Sequence, residues 1–316
     1  MPTGGITRYD KYLTDLALAY PVGNLIGEIV CPVKSVIDYS DKVFHDADDA
    51  IVLLNDEAEA VPSNSVDCTS GDAYSYRTTR KAFSGVVRDK EASNASKVVK
   101  MEQRETNKNT HRLKLKHEYR VAAILNNPAI VTQTKDVDAT ANARWDETTP
   151  VLETDIILAI STIYDACGAS ANTIVVPFKA ALHLANLAFI KNTLQHQYGM
   201  EVIQASFQRQ VMELVGLPPY IKGLKVVVSS GRKDDSNKGE TADTKPVWGK
   251  HCLIGYVPPS LGVDDIFGVL TMEYEPLKVW KERQTDPKGT KVVVEWDYDI
   301  LKANMSTWYL LKNVIG

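Results

Sequence analysis

The sequence predicts an α+β fold, and three observations carry that prediction. Strands and helices alternate between residues 150 and 230, β segments follow one another from residue 251 onward, and a long helical stretch at 96–126 contains neither proline nor glycine. With 316 residues, 44% of them hydrophobic, the chain has material for a sizeable core, and its length suggests about two lobes. Charged residues make up 24%, an ordinary globular value, so wholesale disorder is not expected.

Residues 8–20 read as a short amphipathic helix, with Tyr9, Leu13, Leu16, Ala17 and Tyr20 on one face and Pro21 ending it. The next stretch, NLIGEIVCPVKSV, is apolar but broken by Gly27 and Pro32, and is expected to be extended. An extended apolar arm cannot form a core alone, so Leu13, Leu16, Leu25, Ile26 and Ile29 are expected to be covered partly by other chains. Residues 40–70 are acidic and irregular, and Asp46, Asp48 and Asp49 lack the glycine and terminal glutamate of a calcium loop. In residues 72–92, Tyr74, Tyr76 and Thr78 alternate with other residues before the basic pair Arg80 and Lys81, and Ser84, Val86 and Arg88 continue the alternation. This predicts a two-stranded ribbon, which needs support from outside itself.

The helix at 96–126 is polar almost all round between Lys97 and Lys116. It is expected to bridge parts of a structure or pack through polar contacts rather than through an apolar stripe. Residues 149–168 form the clearest helix. Thr149 is its expected N-cap, Pro150 its first position and Gly168 its C-cap, with Ile156, Ile157, Ile160, Ile163, Tyr164 and Cys167 as the apolar face. TIVVP and LKVVVSS (224–230) read as buried strands, and helices are expected at Phe178–Ile190 and from Ser206 to Gly216. Residues 231–246 show no hydrophobic periodicity and predict an exposed loop. Beyond them, HCLIGYVP, FGVLTMEYEPLKVWKE, TKVVVEWDYDI and TWYLLKNVI read as strands of a largely antiparallel sheet, with a turn at RQTDPKGT.

Several function classes are disfavoured. The net charge is −4, so there is no global basic excess for gripping nucleic acid. Cys31, Cys68, Cys167 and Cys252 are scattered without metal or redox spacing and are expected to be reduced thiols. The N-terminus MPTGGITRYDKYL has no apolar stretch behind a basic start, so no signal peptide is expected, and no apolar run is long enough to span a membrane. The chain has no glycine-rich phosphate loop, no G-x-S-x-G and no H-E-x-x-H, and its six histidines lack ligand spacing. No catalytic residue, cofactor or metal is expected. Trp145, Trp248, Trp280, Trp296 and Trp308 are expected as core or interface anchors.

The order of segments resembles the major capsid proteins of tailed bacteriophages, with the Hong Kong 97-like fold that encapsulins share. DKYLTDLALAYPVGNLIGEIVCPVKSV looks like that family's N-terminal arm, AYSYRTTRKAFSGVVRDKEA like its extended β-hairpin loop, and the polar helix like its long spine helix. The most specific match is ARWDETTPVLETDIILAISTIYDACGASANTIVVP, where Trp145 precedes the Pro150 helix, Gly168, Asn172 and the strand Ile174-Val175-Val176. VWGKHCLIGYVPP followed by FGVLTMEYEP resembles the return from the α/β axial domain to the peripheral β-sheet domain.

The resemblance implies an arm over 1–60, an extended loop over 61–95, peripheral domain over 96–149 and 265–316, and axial domain over 150–264. It implies a structural subunit, not an enzyme, that self-assembles into pentamers and hexamers of an icosahedral head, with an encapsulin-type nanocompartment shell as the alternative. Implied partners are copies of itself, portal, scaffolding and decoration proteins, and packaged double-stranded DNA held weakly and without sequence preference; no membrane partner is implied. The protein would be made in the bacterial cytoplasm and reside in the virion. Expected inter-subunit contacts are Leu13, Leu16 and Ile26 of the arm, Tyr74, Tyr76, Arg80 and Lys81 of the loop, and Arg232, Lys233 and Asp234 near a symmetry axis.

Overall fold

The computed structural model describes residues 9–19, 25–44, 73–94, 98–140, 143–147, 151–185, 187, 190, 217–234, 236, 241, 243–260 and 266–316. It is built around two sheets joined by one long helix, α4 (Val98–Leu125), with the shorter α3 (Asp89–Asn94) before it. Chain order supplies α1 (Lys11–Leu18), α2 (Gly27–Val30), β1 (Val33–Ser35), β2 (Ser40–Phe44), β3 (Ala73–Arg77) and β4 (Thr79–Arg88) ahead of these helices. After α4 come β5 (Thr134–Asp136), α5 (Leu152–Cys167), β6 (Thr173–Pro177), α6 (Phe178–Leu184), β7 (Tyr220–Ile221) and β8 (Leu224–Ser229). Then follow β9 (Arg232–Asp234), β10 (Thr244–Pro246), β11 (Cys252–Gly255), β12 (Val269–Gln284), β13 (Gly289–Lys302) and β14 (Trp308–Lys312).

The first sheet has the order β1-β12-β13-β4, and the turn expected at RQTDPKGT joins β12 to β13. Alternate residues of β13, Val292, Val294, Trp296 and Tyr298, point to one face. There they meet Leu277 and Val279 of β12, Leu113 of α4, and Leu13 and Ala17 of α1. Asp10 caps α1 by accepting from the Leu13 amide at 3.1 Å. The Lys281 ammonium then ties three elements together, lying 2.7 Å from Asp10 and 2.9 Å from Glu102 of α4.

The second sheet has the order β5-β14-β11-β6-β8-β7 and is buried on both faces. Ile174, Val176, Val226, Ile254 and Leu311 face α5 and α6, where Ile156, Ala159, Ile163, Ala180 and Leu184 cover them. The intervening Val175, Val227, Leu253 and Leu310 face the opposite way, onto Val121, Ala122 and Leu125 of α4 and Ile26 and Val30 around α2. Each such aliphatic side chain contributes about 1.5–3 kcal/mol on full burial. Gly255 and Gly268 form a slot for the Trp308 indole, since a Cβ on either would overlap that ring. Asp155, fully buried in the first turn of α5, accepts from Lys135 at 2.6 Å and from the Trp145 indole at 3.2 Å.

The polar α4 spans both sheets. Thr106 and Thr110 bond back to the carbonyls of Glu102 and Thr106, each at 2.9 Å, which is how hydroxyls are accommodated inside a helix. His117 lies 2.8 Å from the Thr271 hydroxyl, with its ring centre 5.1 Å from those of both Trp296 and Tyr298. Desolvation, then the nearby Arg120, lowers its pKa to about 3, so the ring is neutral. Next to it, the buried Glu118 carboxylate accepts from the amides of Ile26 (2.8 Å) and Gly27 (3.4 Å) and from the Trp248 indole (2.8 Å). Burial raises its pKa, and the three hydrogen bonds pull it back part of the way.

Five sequence expectations are corrected. The stretch 24–36 is not extended throughout, because Glu118 organises its amides into the single turn of α2. The 72–92 segment is not a ribbon paired with itself: β3 pairs with β2 and β4 pairs with β13. Arg77-Thr78-Thr79 offers no glycine, proline or asparagine to reverse the chain, so the two strands run on rather than fold back. Helix α5 begins at Leu152 with Val151 at the cap position and no side-chain cap; Thr149 and Pro150 lie outside the described residues. Residues 231–246 are not wholly a loop, since β9 and β10 pair as an antiparallel hairpin, with Asp234 accepting from the Ser236 amide and hydroxyl and the Asp243 amide. Finally, β14 does not join the β12–β13 sheet but inserts between β5 and β11. The expected helix at 206–216, the acidic run 46–49 and Cys68 lie outside the described residues; Cys31, Cys167 and Cys252 are buried free thiols.

Two predictions follow from α4. Glu118→Ala strands three buried donors and is expected to cost about 3 kcal/mol or more in chemical unfolding of the isolated chain, with Glu118→Gln costing less; equal stability of the Ala variant and wild type would contradict the clamp. Because the folded pKa of His117 lies near 3 and the usual value is 6.5, only the unfolded chain takes up this proton between those limits. Stability is therefore lost as pH falls below 6.5, by up to about 1.4 kcal/mol per unit. Against His117→Gln, the wild type's stability advantage should shrink as pH falls from 6.5 to 5 and stay flat above 7; parallel curves would contradict a neutral buried ring.

Candidate assembly surfaces

Large apolar side chains exposed singly are ordinary in a folded chain, whereas a cluster of them marks a candidate surface for another molecule. Among the described residues, most of the exposed ones lie in three places, with Phe83 and Val86 of β4 and Tyr274 of β12 exposed elsewhere. On the arm, Tyr12, Leu18 and Ile29 are exposed. Between β1 and β2, Ile37 is 92% exposed and Tyr39 60% exposed, at the root of the β2–β3 hairpin. That root is tied down by the Thr78 amide donating to the Tyr39 carbonyl at 2.8 Å and by the Tyr76 hydroxyl donating to the Asp38 carbonyl at 3.3 Å. The third cluster is the outer face of α5 and α6, where Ile157, Leu158, Tyr164, Phe178 and Leu182 all point away from the sheet. Tyr220 on β7 is exposed at the same sheet's edge.

The expected contact residues divide by where they lie. Leu13 (1% exposed) and Ile26 (5%) are covered by their own chain, which corrects the expectation that neighbours bury them. The physical reason is that α1 lies on the β12–β13 face and α2 on α4, so the arm has internal partners that its sequence does not advertise. Leu16 is half-buried beside the same cluster, and Leu25 is likewise half-buried. Tyr76 is buried under the hairpin root, whereas Tyr74 is half-buried. Arg80 forms an ion pair with Glu295, a carboxylate that also accepts from the Trp280 indole at 2.9 Å. Arg232 and Asp234 are exposed and Lys233 half-buried, with the Lys233 ammonium 4.5 Å from the Tyr119 ring centre.

Tyr74 and Lys81 come together in one cavity of about 880 Å³ between the hairpin, α4 and β13. The Lys81 ammonium donates to the Thr79 hydroxyl (2.9 Å), the Thr79 carbonyl (3.1 Å) and the Tyr298 carbonyl, and sits 3.9 Å from the Tyr298 ring centre. Desolvation, then repulsion by Arg120, lowers its pKa to about 8. Sequence reasoning missed Arg120, which donates to the Tyr298 hydroxyl at 3.0 Å, and Lys302, both of which line this cavity. It also assigned Ile157 and Tyr164 to the buried face of α5, although both are exposed. The available signal was that α5 carries apolar residues on two faces, more than one sheet can cover.

Among the described residues, no group of three or more His, Cys, Asp or Glu side chains is placed to hold a metal ion, and no helix is long and apolar enough to cross a membrane.

No protein-family model matches the sequence, and no curated protein does. The fold, however, has relatives among solved structures. A phage-related protein from Bordetella bronchiseptica RB50 superposes with a TM-score of 0.70 at 20% identity, over 98% of this chain and 99% of that one. The capsid of the cyanophage P-SCSP1u gives 0.56 at 13% identity over 91% and 87% of the two chains. A virus-like particle from Pyrococcus furiosus gives 0.55 at 11% identity over 96% and 98%. At such identities the likeness speaks for architecture alone, and over nearly its whole length this chain has the α+β fold of phage capsid proteins that its sequence resembles.

Proposed function

We propose that this chain is the major capsid protein of a tailed bacteriophage, a structural subunit that self-assembles into pentamers and hexamers of an icosahedral head around double-stranded DNA. The observation that carries the reading is the pairing of a phage-capsid fold over almost the full chain with three apolar surfaces that one copy leaves uncovered. The α5–α6 face is the axial contact in this reading, and the β2–β3 hairpin, rooted at Ile37 and Tyr39, reaches the adjacent subunit. Stable obligate interfaces of this kind bury more than about 2,000 Å². DNA contact is weak and sequence-independent, in keeping with a net charge of −4. Portal, scaffolding and decoration proteins are the remaining partners, and the virion is the site of residence.

A shell of the encapsulin type is the second reading, and the likeness to a virus-like particle from Pyrococcus furiosus is as compatible with it as with the first. Negative-stain images of the purified chain are expected to show closed particles of uniform size in either case, and a monodisperse monomer or small oligomer under all conditions would overturn both. Nuclease-protected double-stranded DNA inside particles from infected or induced cells separates the first reading from the second. Tyr164→Glu, at an exposed site, is expected to change unfolding free energy by less than about 0.5 kcal/mol while abolishing particles; normal particle yield would remove the α5–α6 face from the interface.

A further inference from the structure

The cavity between the hairpin, α4 and β13 is lined by Lys81, Arg120 and Lys302 and by one carboxylate, Asp299. Main-chain amides occupy both oxygens of that carboxylate, which accept from Arg77 at 3.1 Å and from Ile300 at 2.9 Å. The cations differ in what they have left to give. Lys81 donates to the Thr79 hydroxyl, the Thr79 carbonyl and the Tyr298 carbonyl, which uses all the protons of an ammonium, so it offers the cavity its field rather than a contact. Arg120 spends one N–H on the Tyr298 hydroxyl at 3.0 Å, and its other donors have no partner among the described residues. Tyr298, Ile300 and Lys302 alternate along β13, so the Lys302 ammonium rises from the same face of the strand as the tyrosine that Arg120 touches. It too has no partner among the described residues.

Neighbouring groups register the surplus of positive charge. After desolvation, repulsion by Arg120 is the next cause that lowers the Lys81 pKa, and Arg120 and Lys81 act in the same way on His117, whose ring centre is 5.1 Å from that of Tyr298. Three cations against one carboxylate leave two positive charges over. A phosphate group matches them with about −1.5 to −2 at pH 7, whereas a carboxylate brings a single charge. The aromatic walls add little to the choice, because their faces are already covered. The Lys81 ammonium lies 3.9 Å and the Trp296 ring 4.3 Å from the Tyr298 ring centre, and Lys116 and Lys233 engage the Tyr119 ring at 5.0 and 4.5 Å. A flat group has no free ring to stack on, so charge and oxygen acceptors do the selecting.

We infer that this cavity is a phosphate-binding site, in which Arg120 and Lys302 contact the oxygens of a free phosphate or of a small phosphate ester and Lys81 strengthens the field. The site lies within one chain and does not depend on the shell reading. An arriving phosphate relieves the repulsion between Lys81 and Arg120.

Equilibrium dialysis of the full-length protein against radiolabelled inorganic phosphate at low salt tests it. Saturable binding of one phosphate per chain is expected. Arg120→Gln should weaken it by about tenfold or more, as loss of a charge-assisted hydrogen bond does. Lys302→Gln, at an exposed position, should weaken it by about threefold and serves if Arg120→Gln does not fold. Lys288→Gln, exposed in the turn between β12 and β13, should leave binding unchanged. Absence of saturable binding by the wild type overturns the site, and this is the result expected if another part of the chain fills the cavity. Wild-type affinity in the folded Arg120→Gln or Lys302→Gln variant overturns it as well, and so does an equal loss in Lys288→Gln, the mark of diffuse surface charge. Competition separates the ligand chemistries: unlabelled phosphate and adenosine 5′-monophosphate should displace the label alike and acetate should not. Displacement by acetate as strong as that by phosphate overturns the choice of phosphate, and displacement by the nucleotide at about tenfold lower concentration overturns selection by charge alone.

Discussion

The fold is organised around one buried carboxylate. Glu118 projects from the C-terminal third of the long helix α4 and binds the arm through two amides and the hairpin side through the Trp248 indole. An ionised carboxyl in such a place costs several kcal/mol unless donors surround it, so the three donors and the position of the acid require one another. The backbone has been shaped to suit. A Cβ on Gly27 would stand 3.0 Å from the Glu118 Cα, and one on Gly231 would stand 2.8 Å from its carboxylate oxygen. Remove the acid and the arm, α4 and the β9–β10 hairpin lose their common reference point, and with it the relation between the two sheets.

This arrangement explains which surfaces are finished within one copy. The arm, α4 and both sheets pack against one another, with even threonines and a histidine dry between them, and so form one packed unit. What remains outside is concentrated where that unit ends: the hairpin root, the arm's outer side and the outward faces of α5 and α6.

The sequence made some of this legible and hid the rest for identifiable reasons. The strands at 173–177, 224–229, 269–284 and 289–302 and the helix at 98–125 were readable because periodicity or uninterrupted apolar runs report backbone state directly. Gly168 was readable as a cap because its φ of 68° lies in the left-handed region, which glycine adopts freely. Pairing was not readable: β4 finds β13 some two hundred positions away, and nothing local to Thr79–Arg88 encodes that choice. The arm's burial was likewise hidden, because it depends on Leu113, Val121 and Leu125, residues spaced along a helix whose overall composition is polar. Of the residues that line the cavity beside α4, Tyr74 and Lys81 stand out in the sequence through their alternation and charge, whereas Arg120 is lost in a helix crowded with cations.

The placement of β14 has a bearing on how the molecule is born. Residues 308–312 lie in the interior of the six-stranded sheet, bonded to β5 on one side and to β11 on the other. Until they leave the ribosome, the β5 edge and the β11 edge have no common neighbour, and the slot made by Gly255 and Gly268 has no indole to fill it. The lobe that bears α5 and α6 therefore matures late in translation, through contacts of large sequence separation that form slowly. A half-made chain on a polysome therefore lacks a finished lobe until its synthesis has passed that strand.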